Sequence, residues 1–251
     1  MVHVASYGGG INSKWLIAKW VTDGNPLHIV LFADTGDDDN GQQAEKPETY
    51  ADVRAFGRWL MYHGVPCQWV RVTGETLYDN CIRRGTLPAI AFGWRTCSQR
   101  WKIEPQEKFL NNWIVTQEAW ERGEKVIRLV GFDAGEARRA KPYEDAKYIN
   151  RYWLVERGDD RDACIAGLIS LGLPVPPKSS CYFCPEMKQP EIVRLSPPQQ
   201  TGALTMERKA IPNLTSLKGL GKRFSWESVI AGQCNVPDSG TEMPCGCFDG
   251  E

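Results

Sequence analysis

The sequence predicts an α/β protein whose strands are mostly parallel, and three observations lead to that prediction. Short apolar runs alternate with segments of helical periodicity through the N-terminal half, which is typical of βαβ units. A glycine-rich loop joins the first predicted strand to the first predicted helix. The 251 residues are 42% hydrophobic and 24% charged, the ordinary composition of a globular chain.

The predicted elements follow from apolar runs, helical spacing and turn residues. Strands are expected at 2–6, 28–32, 68–72, 125–131 and 152–155. Helices are expected at 12–20, 47–63, 75–83, 105–122 and 161–171. Asn12 or Ser13 is the expected N-cap of the first helix, and Pro47 suits the first turn of the second. Beyond Cys181 the periodicity weakens, so short helices and loops are expected there.

Charge and cysteine content exclude several classes of protein. A formal net charge of -1 argues against a purely electrostatic nucleic-acid binder. No apolar run is long enough to span a bilayer, and the first residues do not look like a secretory signal. A cytoplasmic location is therefore expected, without membrane association. Nine cysteines are poorly explained by disulfides in that compartment, which favours metal binding or redox chemistry.

The loop after the first strand reads Ser6-Tyr7-Gly8-Gly9-Gly10-Ile11-Asn12-Ser13. Glycines at the start of a helix let backbone N–H groups approach an anion, and the helix dipole favours negative charge there. A tight turn that merely needs positive φ angles is the alternative interpretation. Three glycines and a serine at this position favour phosphate binding.

This loop resembles the pyrophosphate-binding loop of the ATP-pyrophosphatase and PAPS-reductase superfamily, the adenine nucleotide α-hydrolases. The lysine and aspartate of its ATP-cleaving members are replaced by Ile11 and Asn12, which removes a cation that could stabilise a leaving pyrophosphate. The resemblance implies a Rossmann-like (HUP-type) sheet of five mostly parallel strands flanked by helices. The nucleotide would lie at the carboxyl edge of that sheet.

Two further segments resemble the same superfamily. Phe32-Ala33-Asp34-Thr35-Gly36 follows the second strand, and Gly131-Phe132-Asp133-Ala134-Gly135-Glu136-Ala137-Arg138-Arg139 follows the fourth. The alternatives are an ordinary turn residue at Asp34 and a solvated Glu/Arg loop. The resemblance assigns ATP or PAPS, with magnesium as a further candidate, to Ser6, Gly8, Gly9, Gly10, Asn12, Ser13, Asp34, Gly131, Glu136 and Arg139. Arg139 is expected to bind phosphate or sulfate and to act in catalysis.

Cys181-Tyr182-Phe183-Cys184 is the strongest metal signal, because C-x-x-C lets two thiolates bind one ion or cluster. By the resemblance, Cys97 is the third ligand. The tail carries Cys245 and Cys247; we assign Cys247 as the fourth ligand and Cys245 as a catalytic nucleophile, although either could serve as ligand. A 4Fe-4S cluster is the first expectation and zinc the alternative.

These signals predict residues 1–175 as a nucleotide-binding α/β domain and 176–251 as a cysteine-rich region packed on it. The first hypothesis is an enzyme of sulfur chemistry, either an oxidoreductase that reduces a sulfonucleotide or a transferase that delivers sulfur to a nucleic acid. An ATP α-hydrolase with structural zinc and a non-catalytic nucleotide sensor are the alternatives. The expected partners are an adenine nucleotide, a nucleic acid, and a thiol or sulfur-donor protein, and a homo-oligomer is left open.

Overall fold

The computed structural model describes residues 1–37, 41–94 and 96–233. Five strands within them form one sheet in the order β3-β2-β1-β4-β5, and all neighbours are parallel. The strands are β1 (His3–Tyr7), β2 (Ile29–Ala33), β3 (Cys67–Val70), β4 (Val126–Leu129) and β5 (Tyr148–Arg151). This arrangement confirms the predicted α/β Rossmann-like class.

Helices cover both faces of the sheet, as parallel strands require. Those that follow β1, β2 and β3 are α1 (Ile11–Thr22), α2 (Pro47–Tyr62), α3 (Leu77–Arg84), α4 (Thr96–Ser98), α5 (Glu104–Asn112) and α6 (Ile114–Glu121). Beyond β5 are α7 (Trp153–Arg157), α8 (Arg161–Ser170), α9 (Gln189–Val193), α10 (Pro197–Ala210) and α11 (Trp226–Ile230). A π-helical turn at Gln99–Ile103 joins α4 to α5, and short 3₁₀ turns lie at Ala89–Phe92, Ala134–Arg139 and Ile211–Asn213.

The position of the fifth strand was predicted wrongly. Strand β5 is Tyr148–Arg151, and the predicted stretch 152–155 instead enters helix α7. Short apolar runs do not distinguish strand from helix by periodicity alone. Pairing with β4 selects the earlier run, because Tyr148 and Ile149 align with Val126 and Ile127. Gly158, at φ 74°, then terminates α7.

The predicted helix over 105–122 is two helices. Trp113 adopts an extended conformation between α5 and α6, and the Thr116 hydroxyl donates to the carbonyl oxygens of Leu110 and Trp113. A side chain that satisfies backbone carbonyls in this way stabilises a break in the helix.

Helix α1 is buried along most of its length, and even Lys14 on it is fully buried. The Lys14 ammonium lies 2.6 Å from Asp52 on α2 and donates to the carbonyl oxygen of Pro174 at 2.8 Å. Trp15 on the same helix packs so closely against Gly167 that a Cβ there would come within 2.4 Å of its ring. Helix α1 and the loop that precedes it are therefore held firmly against α2 and α8.

The C-terminal helices build a second core together with α3. This core includes Leu77, Tyr182, Met206 and Trp226.

None of the described helices combines the length and the apolar character that crossing a membrane requires. The division at residue 175 stays a prediction.

Glu207 is a fully buried carboxylate that ties this second core together. It accepts hydrogen bonds from the backbone N–H groups of Leu220 at 2.7 Å, Trp226 at 2.8 Å and Glu227 at 3.1 Å. The carboxylate thus links α10 to the loop before α11 and to the start of α11.

Replacing Glu207 with glutamine is expected to lower the free energy of unfolding by about 2 kcal/mol, because hydrogen bonds to a charged acceptor are stronger than those to a neutral one. Urea unfolding followed by circular dichroism measures the change. Glu227→Gln is the matched control, since its side chain is exposed and pairs with Arg208; a change within about 0.5 kcal/mol is expected there. Equal losses in both variants would contradict the assigned role.

Candidate functional site

The glycine loop lies between β1 and α1, where the strand order reverses and β1 neighbours β4. Ligands of open α/β sheets bind at the carboxyl ends of the strands at such a point. The N-cap of α1 is Gly10, not the predicted Asn12 or Ser13. Ser13 closes the loop, because its hydroxyl donates to the Gly10 carbonyl oxygen at 3.2 Å and accepts from the Gly8 N–H at 3.4 Å.

Gly131 follows β4 and brings that strand end against the first turn of α1. A Cβ at Gly131 would lie 2.6 Å from the Cα of Ser13 and 2.8 Å from its backbone nitrogen. Gly9, at φ +72°, would bring a Cβ to 3.0 Å from Thr49. Glycine at these two positions permits the close backbone approach that forms the loop.

The segment after Gly131 is fixed to the glycine loop through Asn12. The Asn12 side-chain amide donates to Asp133 at 2.8 Å and to Glu136 at 3.0 Å. Burial, and next the charge of Asp133, raise the pKa of Glu136. Arg139 forms an ion pair with Glu136, and its guanidinium lies 4.4 Å from the centre of the Phe132 ring.

These elements surround one cleft, called here the glycine-loop cleft. Most of the residues predicted to bind nucleotide line it, namely Ser6, Gly8, Gly10, Asn12, Ser13, Gly131, Glu136 and Arg139. Gly9 belongs to the loop but does not line the cleft. Asp34 accepts hydrogen bonds from the Tyr50 hydroxyl at 2.8 Å and the Gly36 N–H at 3.1 Å, and it lines another cleft at the ends of β2 and β3.

Three cations of the glycine-loop cleft were not predicted from the sequence. Lys102, Arg161 and Lys178 line the cleft together with Arg139. Lys178 also pairs with Glu191 at 2.9 Å, and the neighbouring Ser179 hydroxyl donates to the Gly8 carbonyl oxygen at 2.6 Å. The position of Lys178 just before the C-x-x-C segment is a signal that could have suggested proximity to the metal site. Arg161 had no comparable sequence signal.

A second cleft adjoins the first at Ser6, which lines both. Its walls come from β1, α5, β4 and β5 and include Gln106, Asn150 and Tyr152. The Ser6 hydroxyl donates to the Gln106 side-chain oxygen at 2.6 Å. The glycine-loop cleft thus continues at Ser6 into a cleft lined by amide, aromatic and charged side chains, the last being Glu107 and Arg128.

Cys97, Cys181 and Cys184 line one small cavity, as the sequence predicted that they would come together. All three are free thiols. Burial raises the pKa of Cys184 to about 11 and raises the pKa of Cys97 and of Cys181 as well. Thiols in this environment ionise when a cation such as a metal ion approaches. Cys245 and Cys247 lie outside the described residues.

The donor chemistry of this cysteine cavity suits an iron-sulfur cluster or zinc, since soft thiolates select both. Within the described ranges, no three Cys, His, Asp or Glu side chains are arranged to hold a metal ion as they stand. The cysteines therefore share a cavity without being at coordination distance. Binding of a metal ion or a cluster would require the three cysteine side chains to move closer together.

Lys102 lies between the two sites, because it lines both the glycine-loop cleft and the cysteine cavity. Its ammonium is buried 3.4 Å from Glu45, which is itself fully buried and pairs in a β-bridge with Cys181. Burial acts to lower the pKa of Lys102, but the charge of Glu45, joined by Cys181 and Cys184 in their thiolate form, raises it above its ordinary value overall. The side chain is therefore a cation at neutral pH.

The fold and this site define a Rossmann-like α/β protein with a glycine loop at the reversal of strand order and a cysteine cavity beside it. A comparison with models of known protein families finds no match, and a comparison with curated protein sequences finds none. Among solved structures, the chain is similar to the U34-tRNA thiolase NcsA from Methanococcus maripaludis with its 4Fe-4S cluster, at 14% sequence identity and a TM-score of 0.44. That similarity covers 92% of this chain and 70% of the thiolase. It is too distant to bear on function, and the fold class rests on the strand order.

Proposed function

We propose that this protein is an enzyme of sulfur chemistry that binds an adenine nucleotide, related to the PAPS-reductase-like adenine nucleotide α-hydrolases. The observation that carries the proposal is the position of Lys102, which borders both the glycine-loop cleft and the cysteine cavity. A group bound at the phosphate end of the cleft would thus lie next to the three thiols. Sulfur chemistry on a nucleotide needs that proximity.

The nucleotide would bind with its phosphates or sulfate at the glycine loop. The N–H groups at the start of α1 provide hydrogen bonds to an anion, and Arg139, Arg161 and Lys178 provide positive charge. The base would lie in the adjoining cleft, where the side chains of Asn150 and Tyr152 offer hydrogen bonds and a stacking surface.

A 4Fe-4S cluster or zinc bound by Cys97, Cys181, Cys184 and the tail would supply a soft Lewis-acid centre for sulfur. Of this chain's own groups, Lys102 would orient the anion and stabilise negative charge that develops beside the thiols. Cys245 remains our prediction for a nucleophile, either in reducing a sulfonucleotide or in transferring sulfur to an acceptor. The choice between these two reactions is open.

ATP hydrolysis to AMP and pyrophosphate is the second candidate function. The specific observation in its favour is that Lys102 and Lys178 line the cleft, so the cation missing from the loop at Ile11 is available from elsewhere in the fold. Release of AMP and pyrophosphate from ATP would favour this alternative. Nucleotide binding without any turnover, under anaerobic reducing conditions, would favour a nucleotide sensor.

Calorimetric titration of the anaerobically purified protein with ATP and with PAPS tests the binding step. Arg161→Ala is expected to weaken binding by about tenfold, because it removes one cation from the phosphate end of the cleft. Arg157→Ala is the matched control, because it also removes an arginine, but one whose side chain pairs with Asp159 and stacks on Trp153. Nucleotide affinity is expected to be unchanged in this control. The absence of binding of either nucleotide to the unaltered protein would refute the proposal.

A further inference from the structure

A groove that adjoins the cysteine cavity at Cys97 is not used by the proposed function. We call it the aromatic groove, and its walls include Cys81, Arg84, Phe92, Trp94, Cys97 and Arg100. Cys97 lines both the aromatic groove and the cysteine cavity. The glycine-loop cleft, the cysteine cavity and the aromatic groove thus follow one another, with Lys102 and Cys97 at the two boundaries.

Two large apolar side chains of this groove are exposed to solvent. Trp94 is 69% exposed and Phe92 is 42% exposed. Between them Gly93, at φ 82°, ends the 3₁₀ turn Ala89–Phe92, so the two exposed rings flank a tight turn. Exposed aromatic rings held in place beside a functional cavity are typical of a binding surface.

The charged residues that line the groove are two arginines, Arg84 and Arg100, and one carboxylate, Glu104, so positive charge is in excess there. Arg84 and Arg100 are exposed on its walls, and the Arg100 guanidinium lies 5.0 Å from the centre of the Trp101 ring. Glu75 holds Arg100 at 3.4 Å and Arg83 at 2.8 Å, which fixes both guanidinium groups at this surface. The groove therefore combines ring faces for stacking with cations for a phosphate backbone.

We infer that the aromatic groove binds a single-stranded nucleic acid, with an unpaired base stacked on Trp94 and the neighbouring phosphates near Arg84 and Arg100. Aromatic rings interleaved with arginines are the usual means of holding single strands, because every base has a face to stack. Unpaired bases are favoured because the faces of paired bases are covered by stacking on their neighbours within a duplex. An overall charge of -1 is compatible with this, since the positive charge is local.

Cys97 connects the proposed nucleic-acid site to the cysteine cavity, because it lines both the groove and the cavity. A base stacked at Trp94 would lie in a groove that shares Cys97 with the cysteine cavity. The role of this strand as the sulfur acceptor rests on the proposed function, whereas the binding itself does not. If the proposed function and the binding of this strand are both correct, sulfur transfer to a nucleic acid is favoured over sulfonucleotide reduction.

Fluorescence anisotropy with a labelled single-stranded RNA of about 12 nucleotides tests the inference on the full chain at low salt. Trp94→Ala and Arg84→Ala are each expected to weaken binding by about tenfold, as the loss of one stacking or phosphate contact should. Tyr62→Ala and Arg58→Ala are matched controls, because both side chains are exposed on α2. The controls should bind RNA as the unaltered protein does.

Failure of RNA binding in the unaltered protein, or equal affinity in all four variants, would overturn the inference. A changed oligomeric state in Trp94→Ala with unchanged RNA affinity would also overturn it and assign the groove to a second copy of the chain. Titration of the same variants with ATP separates the two proposals. Nucleotide binding without RNA binding refutes only the groove, and RNA binding without nucleotide binding refutes only the proposed function.

Discussion

Replacing Lys102 with methionine is expected to lower the free energy of unfolding by about 3 kcal/mol and to weaken nucleotide binding by about tenfold. The loss of stability arises because Glu45 is fully buried and would lose its counter-ion. The loss of affinity arises because Lys102 lines the glycine-loop cleft. Urea unfolding and calorimetric titration with ATP measure the two effects.

A double variant separates these two roles of Lys102. In Glu45→Gln with Lys102→Met the buried pair becomes neutral, and most of the lost stability should return, because a buried ion pair contributes little beyond satisfying its own charges. Nucleotide affinity should remain low, since the cation is still missing. Recovery of both quantities together would mean that Lys102 acts on the cleft only through the fold.

Removal of any one of Cys97, Cys181 and Cys184 is expected to abolish the binding of metal. The three thiols share one cavity, and a cluster or zinc ion that loses one thiolate is generally not retained. Metal and sulfide analysis with a visible spectrum, on protein purified anaerobically, gives the result for each alanine variant. Iron with sulfide and broad visible absorption would identify a cluster, whereas stoichiometric zinc on a colourless protein would identify a structural ion.

Cys164→Ala is the matched control for this experiment. Cys164 is a free thiol of α8 that is fully buried in the core shared with α1, so its loss creates a cavity of the same kind. The control should lower stability and leave the metal content unchanged. A metal content that falls equally in Cys164→Ala would show that the protein loses metal by general destabilisation, and no metal in the unaltered protein would refute the site.

The local parts of the site could be predicted because adjacent residues form them. Gly8, Gly10 and Ser13 lie in one loop, and Cys181 and Cys184 lie in one turn, so sequence spacing alone brings each set together. Arg139 was predicted through the segment that follows β4, which ends at the same edge of the sheet as β1. Parallel strands place such loops together, whatever their separation along the chain.

The long-range parts of the site could not be predicted. Arg161 starts α8 and reaches the cleft only because α8 packs on α1. Lys102 reaches the cleft because it lies in the π-helical turn before α5. Hydrophobic periodicity in the sequence does not predict such a turn. Asp34 was placed at the nucleotide by its position after β2, but its hydrogen bond with Tyr50 fixes it at another cleft.

The sequence by itself determined the α/β class, the glycine loop and the C-x-x-C pair, because each depends on residues close together in the chain. Tertiary structure alone decided which apolar run pairs as β5, since register with β4 discriminates where periodicity does not. It also decided that Lys102 borders both the glycine-loop cleft and the cysteine cavity, and that Cys97 borders both that cavity and the aromatic groove. Such an arrangement depends on how separate helices and strands pack together, and the spacing of residues along the chain does not predict that packing.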